Sequence, residues 1–400
     1  MHEFLPPDDD PRRAVVREWL ATHPDPSARD LAESGYVAPH LPPPWGLGAD
    51  PVTQIVIDDE FARAKIKRPV NQIGTGWAVP TLIHAGTEDQ KKRWVLPALA
   101  AEEIWCQLFS EPGAGSDLAD LSTRAVRDGD EWVVNGQKVW TTGAHYSKWG
   151  ILIARTSPDK PKHEGITYFI CPMDAPGIEI RTILNIAGAA SFNEVFFNDV
   201  RIPHDHVVGD VDDGWRLAKV TLGNERVSLS TGGALWGHGP SAADVLEESQ
   251  RRDGLDEVMR QRLARLHEED AVLDVIRLRT LAARLRGEQP GPEASIRKIM
   301  ADEHGQRVME TARDLLGAEA MLTGERGGEK TLASRSWYSG YMFSRALTIG
   351  GGTTEVQKNI LGEKVLGLPA EPDPGRGEPW ASTRTRSPGT HDDKGRAHDR

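Results

Sequence analysis

The sequence predicts a mixed α and β chain in three parts. An N-terminal helical domain (1–103) leads into a central antiparallel β-barrel or sandwich (104–211). A C-terminal four-helix bundle (212–368) follows, then a disordered tail (369–400). Three observations carry this prediction. The hydrophobic period changes from helical to strand-like near residue 104, and it returns to helical at 212. Past Leu368 the chain is rich in Pro, Gly, Arg and Asp and nearly free of apolar residues, too few to offset the entropy of ordering.

The first part reads as helices joined by rigid loops. Pro39, Pro42, Pro43 and Pro44 keep one connection out of a helix, because each fixes φ and removes an N–H donor. Helical segments are expected at 51–66, with Ile55, Ile57 and Phe61, at 77–85, and at 89–99, where Thr87 is the N-cap. In the middle part, β-type runs at 131–134, 150–154, 166–171, 178–183 and 194–197 are punctuated by turn residues. These are Asp128-Gly129, Asn135-Gly136, Pro176-Gly177 and Asn198-Asp199. Asn135-Gly136 predicts a tight hairpin turn. No helical pattern lies between consecutive runs, which predicts antiparallel pairing. Beyond 212, Ala218, Leu222 and Leu229 form one stripe, and Met259, Leu263, Leu266, Leu273 and Ile276 a second. Ile296, Ile299, Val308, Ala312 and Leu315 form a third. Turns at 287–292 and Gly317 predict antiparallel helices in a bundle.

Composition excludes several functions. A formal net charge of −12 leaves no basic footprint for nucleic acid. No window reaches the roughly 18 uninterrupted apolar residues of a membrane span. The start, MHEFLPPDDDP, lacks the basic and apolar stretches of a signal peptide, so a cytoplasmic location is expected. Cys106 and Cys171 have no metal or redox spacing and read as buried thiols in a reducing compartment. His204 and His206 flank Asp205 beside Pro203 and read as solvated. The histidines show no metal-ligand spacing, so no metal is expected.

Two segments carry chemistry. In WCQLFSEPGAGSD (105–117), Gly113, Ala114 and Gly115 follow a proline, so the backbone can turn tightly and approach a ligand closely. Ser110 and Ser116 add hydroxyls, and freed N–H groups could cradle an oxygen-rich group. The plainer reading is a Pro-Gly turn leaving a strand. Neither a phosphate-binding lysine loop nor a dinucleotide-binding glycine fingerprint is present. In EWVVNGQKVWTTG (131–143), Trp140, Thr141 and Thr142 end a strand. A Trp beside hydroxyls suits an aromatic ring system with polar edges such as an isoalloxazine; it equally suits a core Trp closing the barrel.

Taken together, SEPGAGSD and NGQKVWTTG resemble the signature pair of the acyl-CoA dehydrogenase family. The helical–β–helical plan over 35–368 resembles that family too. So do FNEVFFNDVRIP (192–203), DDGWRLAKVTLGNER (212–226) and SRALTIGGGTTEVQKNILGEKVLGLP (344–369), with some likeness to actinobacterial members that act on steroid side chains. The resemblance implies FAD held between the β domain and the C-terminal helices, with an acyl-CoA thioester against one flavin face. A carboxylate removes the α proton and the β hydrogen leaves as hydride to flavin N5, giving a trans-2-enoyl-CoA. Electrons then pass to an electron-transferring flavoprotein or similar acceptor. By position, the resemblance implies flavin contacts at Phe109, Ser110, Gly115, Ser116, Trp140, Thr142, Thr353 and Glu355. It implies substrate contacts at Ser116, Arg226 and Gly352.

The base is a separate question. Many members place the catalytic glutamate directly before the Gly-Thr of the C-terminal motif, where this chain has Gly351, which accepts no proton. A second family position lies on the helix after the β domain, where Glu precedes Arg; here that pair is Glu225-Arg226. Periodicity supports it independently. Glu225 follows Ala218 by seven residues and Leu222 by three, and it precedes Leu229 by four, so it falls on the apolar stripe. A carboxyl there would have a raised pKa, as a base near neutral pH requires. The rival is a structural Glu–Arg pair; the competing acid, Glu355, lies four residues past Gly351, where the family pattern has a flavin-contacting polar residue. Glu111 reads as shaping its loop.

The chain also departs from the family's intersubunit FAD segments, reading GGALWGHGP (232–240) and RDLLGAEAM (313–321) there. A homodimer, a homotetramer and a heteromer with a paralogue all stay open. An oxidase or monooxygenase on the same fold is a second expectation. A non-catalytic partner subunit is a third, motivated by Gly351.

Overall fold

Local signals start the N-terminal helices. Ser27 and Thr87 each form reciprocal capping boxes, with Asp30 and Gln90, and so satisfy N–H groups that a helix start leaves open. The computed structural model describes residues 6–230, 240–285, 291–321, 337–373 and 375–384. Its first helices are α1 (Pro11–Thr22), α2 (Ala28–Glu33), α3 (Pro51–Ala64), α4 (Val79–Ala85) and α5 (Glu88–Leu99). A π-helical turn, Gly74–Ala78, runs straight into α4. Among the described residues, no helix is long and apolar enough to cross a membrane.

The middle of the chain forms a seven-stranded sheet: β1 (Trp105–Leu108), β2 (Arg124–Asp128), β3 (Glu131–Thr142), β4 (Trp149–Arg155), β5 (Ile166–Pro172), β6 (Ile178–Ile183) and β7 (Phe192–Pro203). Antiparallel pairing dominates, as expected. However, β1 runs parallel to β4, and so does β2 at one residue pair, so the sheet is mixed. The strands between β1 and β4 supply the crossover that a helix would usually make.

Side-chain alternation divides this sheet between two cores. Trp105, Ile151, Ile153, Ile166, Tyr168 and Ile170 face the helices and join a core with Trp77, Val79, Leu82, Trp94, Leu217 and Ala218. Cys106, Leu108, Leu152, Ala154, Phe169 and Cys171 face the other way and meet Trp132, Val134, Val195 and Phe197. Cys106 and Cys171 are buried free thiols. Both register with Gly150, from opposite sides of β4. They therefore stand two strand spacings apart, about 9–10 Å, beyond disulfide reach.

Two expectations about turns and histidines are corrected. Asn135-Gly136 is no hairpin turn, because β3 runs through it. The hairpin forms at Asp128–Glu131 around Gly129. Gly136 instead serves a close approach at φ +153°, where a Cβ would lie 2.4 Å from Thr123 Oγ1. The register slips beside it, as an interior strand glycine often signals. His206 is not solvated. Its Nδ1 lies 2.9 Å from Ile170 O and its ring packs edge-on to Trp94 and Trp149; burial lowers its pKa.

The C-terminal helices are α6 (Gly214–Ser230), α7 (Ala242–Ser249), α8 (Glu257–Leu285), α9 (Ala294–Leu316), α10 (Trp337–Phe343) and α11 (Thr354–Ile360). Leu263, Leu266, Val308, Ala312 and Leu315 meet Val245 and Trp337 in their core. Part of the expected turn at 287–292 lies outside the described residues. Toward their other ends the stripes are half-buried at Leu273, Ile276 and Ile299, while Ile296 and, beside the stripe of α8, Val272, Val275 and Leu278 are exposed.

The expectation of a disordered tail from 369 is corrected over 375–384. There the chain forms a further helix, α12 (Trp380–Arg384), docked on the β domain. Composition hides the anchor, because one tryptophan with polar partners does the work of an apolar run.

Candidate functional site

The end of β1 is fixed by a buried charge pair. Past Ser110 the chain turns through Glu111–Ala114, whose backbone groups bond reciprocally at 3.0 and 3.1 Å. The Glu111 carboxylate accepts from Lys138 Nζ at 2.9 Å, from Ser122 N–H at 2.6 Å and from Thr123 N–H at 2.9 Å. Lys138 also donates to Phe109 O at 2.9 Å and is fully buried. Burial pushes the Glu111 carboxyl up, but Lys138 and the backbone donors more than offset this and hold it at about 2. Burial pulls the Lys138 ammonium down. Glu111 therefore shapes the loop, as expected, and keeps its charge. Gly115 and Ser116, beyond this lock, are exposed.

The second segment is delivered by a bulge. Between Lys138↔Val195 and Thr141↔Asn193, β3 holds two residues against one on β7. The extra residue sets Trp140 at φ +60°, a conformation that bulky side chains avoid. Its ring is 60% exposed and meets Phe192 edge-on at 6.0 Å, so Trp140 does not close the barrel core. A strained aromatic turned outward at a bulge is a functional signal. Thr142 is exposed beside it, and Thr141 Oγ1 is buried without a hydrogen-bond partner.

Phe109 links this region to α6. Its ring meets Tyr168 edge-on at 6.2 Å. The Tyr168 hydroxyl lies 3.1 Å from Thr221 Oγ1 on α6, which in turn lies 2.9 Å from Thr81 Oγ1 on α4. Position 225 follows Thr221 by one helical turn. Glu225 and Arg226 belong to the helical span of α6, but their side chains lie outside the described residues.

The remaining predicted residues stand at the start of α11. Gly351 and Gly352 have φ of +66° and +92°. Thr353 is the N-cap, accepting from Val356 N–H at 3.2 Å. Glu355 is exposed in the first turn. Polar groups of α9 hold the approach to this loop. Lys298 donates to Leu347 O at 3.0 Å, and Gln306 donates to Ser344 O at 3.1 Å. Both α6 and α11 pack on α9, so one helix supports both halves of the predicted set.

FAD fits these residues on one observation. Thr141 Oγ1, Thr354 Oγ1 and Gln357 Oε1 are buried and unpartnered, beside the predicted contacts in both groups. Buried polar atoms ordinarily have partners, and a cofactor with polar edges would supply them. Among the described residues, no His, Cys, Asp or Glu group could hold a metal ion. Sequence reading missed Lys138 and the Thr81–Tyr168–Thr221 hydroxyl chain. Lys138 was findable, since it shares inward strand parity with Trp132 and Val134 and so needs an acid.

Comparison with known proteins agrees with this fold. The chain matches the acyl-CoA dehydrogenase N-terminal domain over residues 8–103, the middle domain over 106–200 and the C-terminal domain over 212–366. The class is thus a three-domain oxidoreductase of flavoprotein type. Acyl-CoA dehydrogenase IpdE1 of Mycobacterium tuberculosis is 40% identical over 82% of this chain and 83% of its own length. Acyl-CoA dehydrogenase FadE34 of the same organism is 44% identical over 89% of this chain but 48% of its own, so the chain spans about half of that relative. Among solved structures, the Tcur3481-Tcur3483 steroid ACAD aligns with a TM-score of 0.73 at 28% identity, covering 90% of this chain and 96% of that one. The ChsE4-ChsE5 complex from Mycobacterium tuberculosis aligns with a TM-score of 0.73 at 30% identity, covering 93% and 100%. The chain belongs to the acyl-CoA dehydrogenase family.

Proposed function

We propose that this chain binds FAD and dehydrogenates an acyl-CoA thioester between its α and β carbons, with Glu225 as the base. FAD, when bound, supplies the hydride acceptor; Trp140, Thr142, Thr353 and Glu355 would hold it, together with Phe109, Ser110, Gly115 and Ser116. Glu225 takes the α proton. Ser116, Arg226 and Gly352 bind the thioester. The observation that carries the reading is the pairing of Gly351 with Glu225. The usual motif position holds no base, while an acid continues the face of α6 that Ala218 and Thr221 bury. The neighbouring steroid ACAD favours a bulky, steroid-like acyl group. The trans-2-enoyl-CoA product leaves, and an electron-transferring flavoprotein or similar acceptor reoxidises the flavin, in the cytoplasm.

A second acyl-CoA dehydrogenase-like chain is the proposed partner. FadE34 is about twice as long as the stretch this chain matches, and the ChsE4-ChsE5 neighbour is a complex. Exposed Val272, Val275 and Ile296 offer apolar surface for such an interface. The test is anaerobic addition of short, long, branched and steroid-like acyl-CoAs to the purified yellow protein. Loss of flavin absorbance with the steroid-like member is expected. A colourless chain that takes up no FAD would favour a non-catalytic subunit, the second reading that Gly351 permits.

A further inference from the structure

Segment 375–384 clasps the loop that carries the first site motif. Trp380 Nε1 donates to Asp120 Oδ1 at 2.7 Å, and the Arg155 guanidinium lies over the indole at 4.6 Å. The Trp380 backbone N–H donates to Lys160 O at 2.9 Å, and Pro379 bridges Pro161. Arg155, almost fully buried, donates to Ala119 O at 2.6 Å on one side and to Lys162 O at 2.8 Å on the other. Lys162 pairs with Asp117 at 2.9 Å, closing the circuit. The strap therefore ties two segments together: 117–121, directly after Ser116, and 158–162, the turn after β4.

The lock on the other side of this loop ends at Glu111. Gly115 and Ser116 lie between the two anchors, exposed, and a Cβ on Gly115 would meet nothing within 4 Å. Gly115 and Ser116 are thus held through their flanks, by buried Ala114 and the Glu111 turn on one side and by segment 117–121, which Arg155, Lys162 and Trp380 hold, on the other. We propose that Trp380 is a positioning residue that fixes the Gly115–Ser116 loop, and with it the thioester-binding geometry, from outside the β domain. The effect on substrate rests on the acyl-CoA reading above; the clasp itself does not.

The test is hydrogen exchange on the full-length protein, comparing wild type with Trp380→Ala, Trp380→Phe and Asp120→Leu. Amides of 113–121 should exchange about tenfold faster in Trp380→Ala, the size expected for one hydrogen bond and one cation–π contact, and less so in Asp120→Leu, which loses the hydrogen bond alone. The Trp380→Ala/Asp120→Leu double variant should exchange no faster than Trp380→Ala alone. Trp380→Phe, which keeps the stack, should fall between, and amides of β3 and β7 should not change. Unchanged exchange at 113–121, or additive effects in the double variant, would overturn the proposal. Binding of coenzyme A is the functional arm. Trp380→Ala should weaken it several-fold with FAD content and the rate of flavin reduction at saturation unaltered. If wild type binds no coenzyme A, the functional reading fails, while the exchange data still decide the clasp.

Discussion

Glu111 and Lys138 show how one residue pair can be both cost and constraint. Each is desolvated, and neither is tolerable without the other. Glu111→Gln should cost about 3–5 kcal/mol in chemical denaturation, because it strands a buried ammonium. The double variant Glu111→Gln/Lys138→Met should lose less than Glu111→Gln alone. The pH dependence has a definite sign. The folded-state pKa falls from the ordinary 4.5 to about 2. The stabilisation is therefore complete above about 4.5 and is lost as pH falls toward 2. It amounts to roughly 3 kcal/mol. Denaturation midpoints of wild type and the double variant should converge across that acidic window. A constant gap between them would place the stability elsewhere.

At the scale of elements, the bulges of β3 decide what the site presents. Asn135-Gly136 and Trp140 stand out in the sequence, but the local turn chemistry of Asn135-Gly136 hides the contact with Thr123 that only the fold creates. The helix start at Thr87 was more legible, since a cap is a local signal. Trp140 carries the clearest prediction here. Relieving its left-handed backbone removes about 1–2 kcal/mol of strain, and its exposed ring leaves little packing to lose. Trp140→Gly should therefore keep or raise the melting temperature while FAD content of the purified protein drops. A fall in stability of about 3–5 kcal/mol, as for a deleted core aromatic, would show that the ring is structural.

For the whole molecule, the helical–β–helical order was legible from the change of period alone. The mixed pairing around β4 was not, because parallel contacts between β1 and β4 join residues far apart in the chain. Nor was the docked end, whose single tryptophan is lost in a polar composition. The exposed apolar residues Val272, Val275 and Leu278 of α8 and Ile296 of α9 bear on assembly. Co-expression with an acyl-CoA dehydrogenase-like paralogue should raise both the native mass and the FAD bound per chain. A chain that is fully flavinylated and unchanged in mass with or without the paralogue would count against a heteromer. The central claim concerns the base, and one anaerobic titration tests it. Wild type and Glu225→Gln, both yellow, receive the acyl-CoA that bleaches wild type. Glu225→Gln should keep its FAD and lose bleaching by several orders of magnitude, since the usual motif position holds Gly351. Bleaching at the wild-type rate would contradict the assignment.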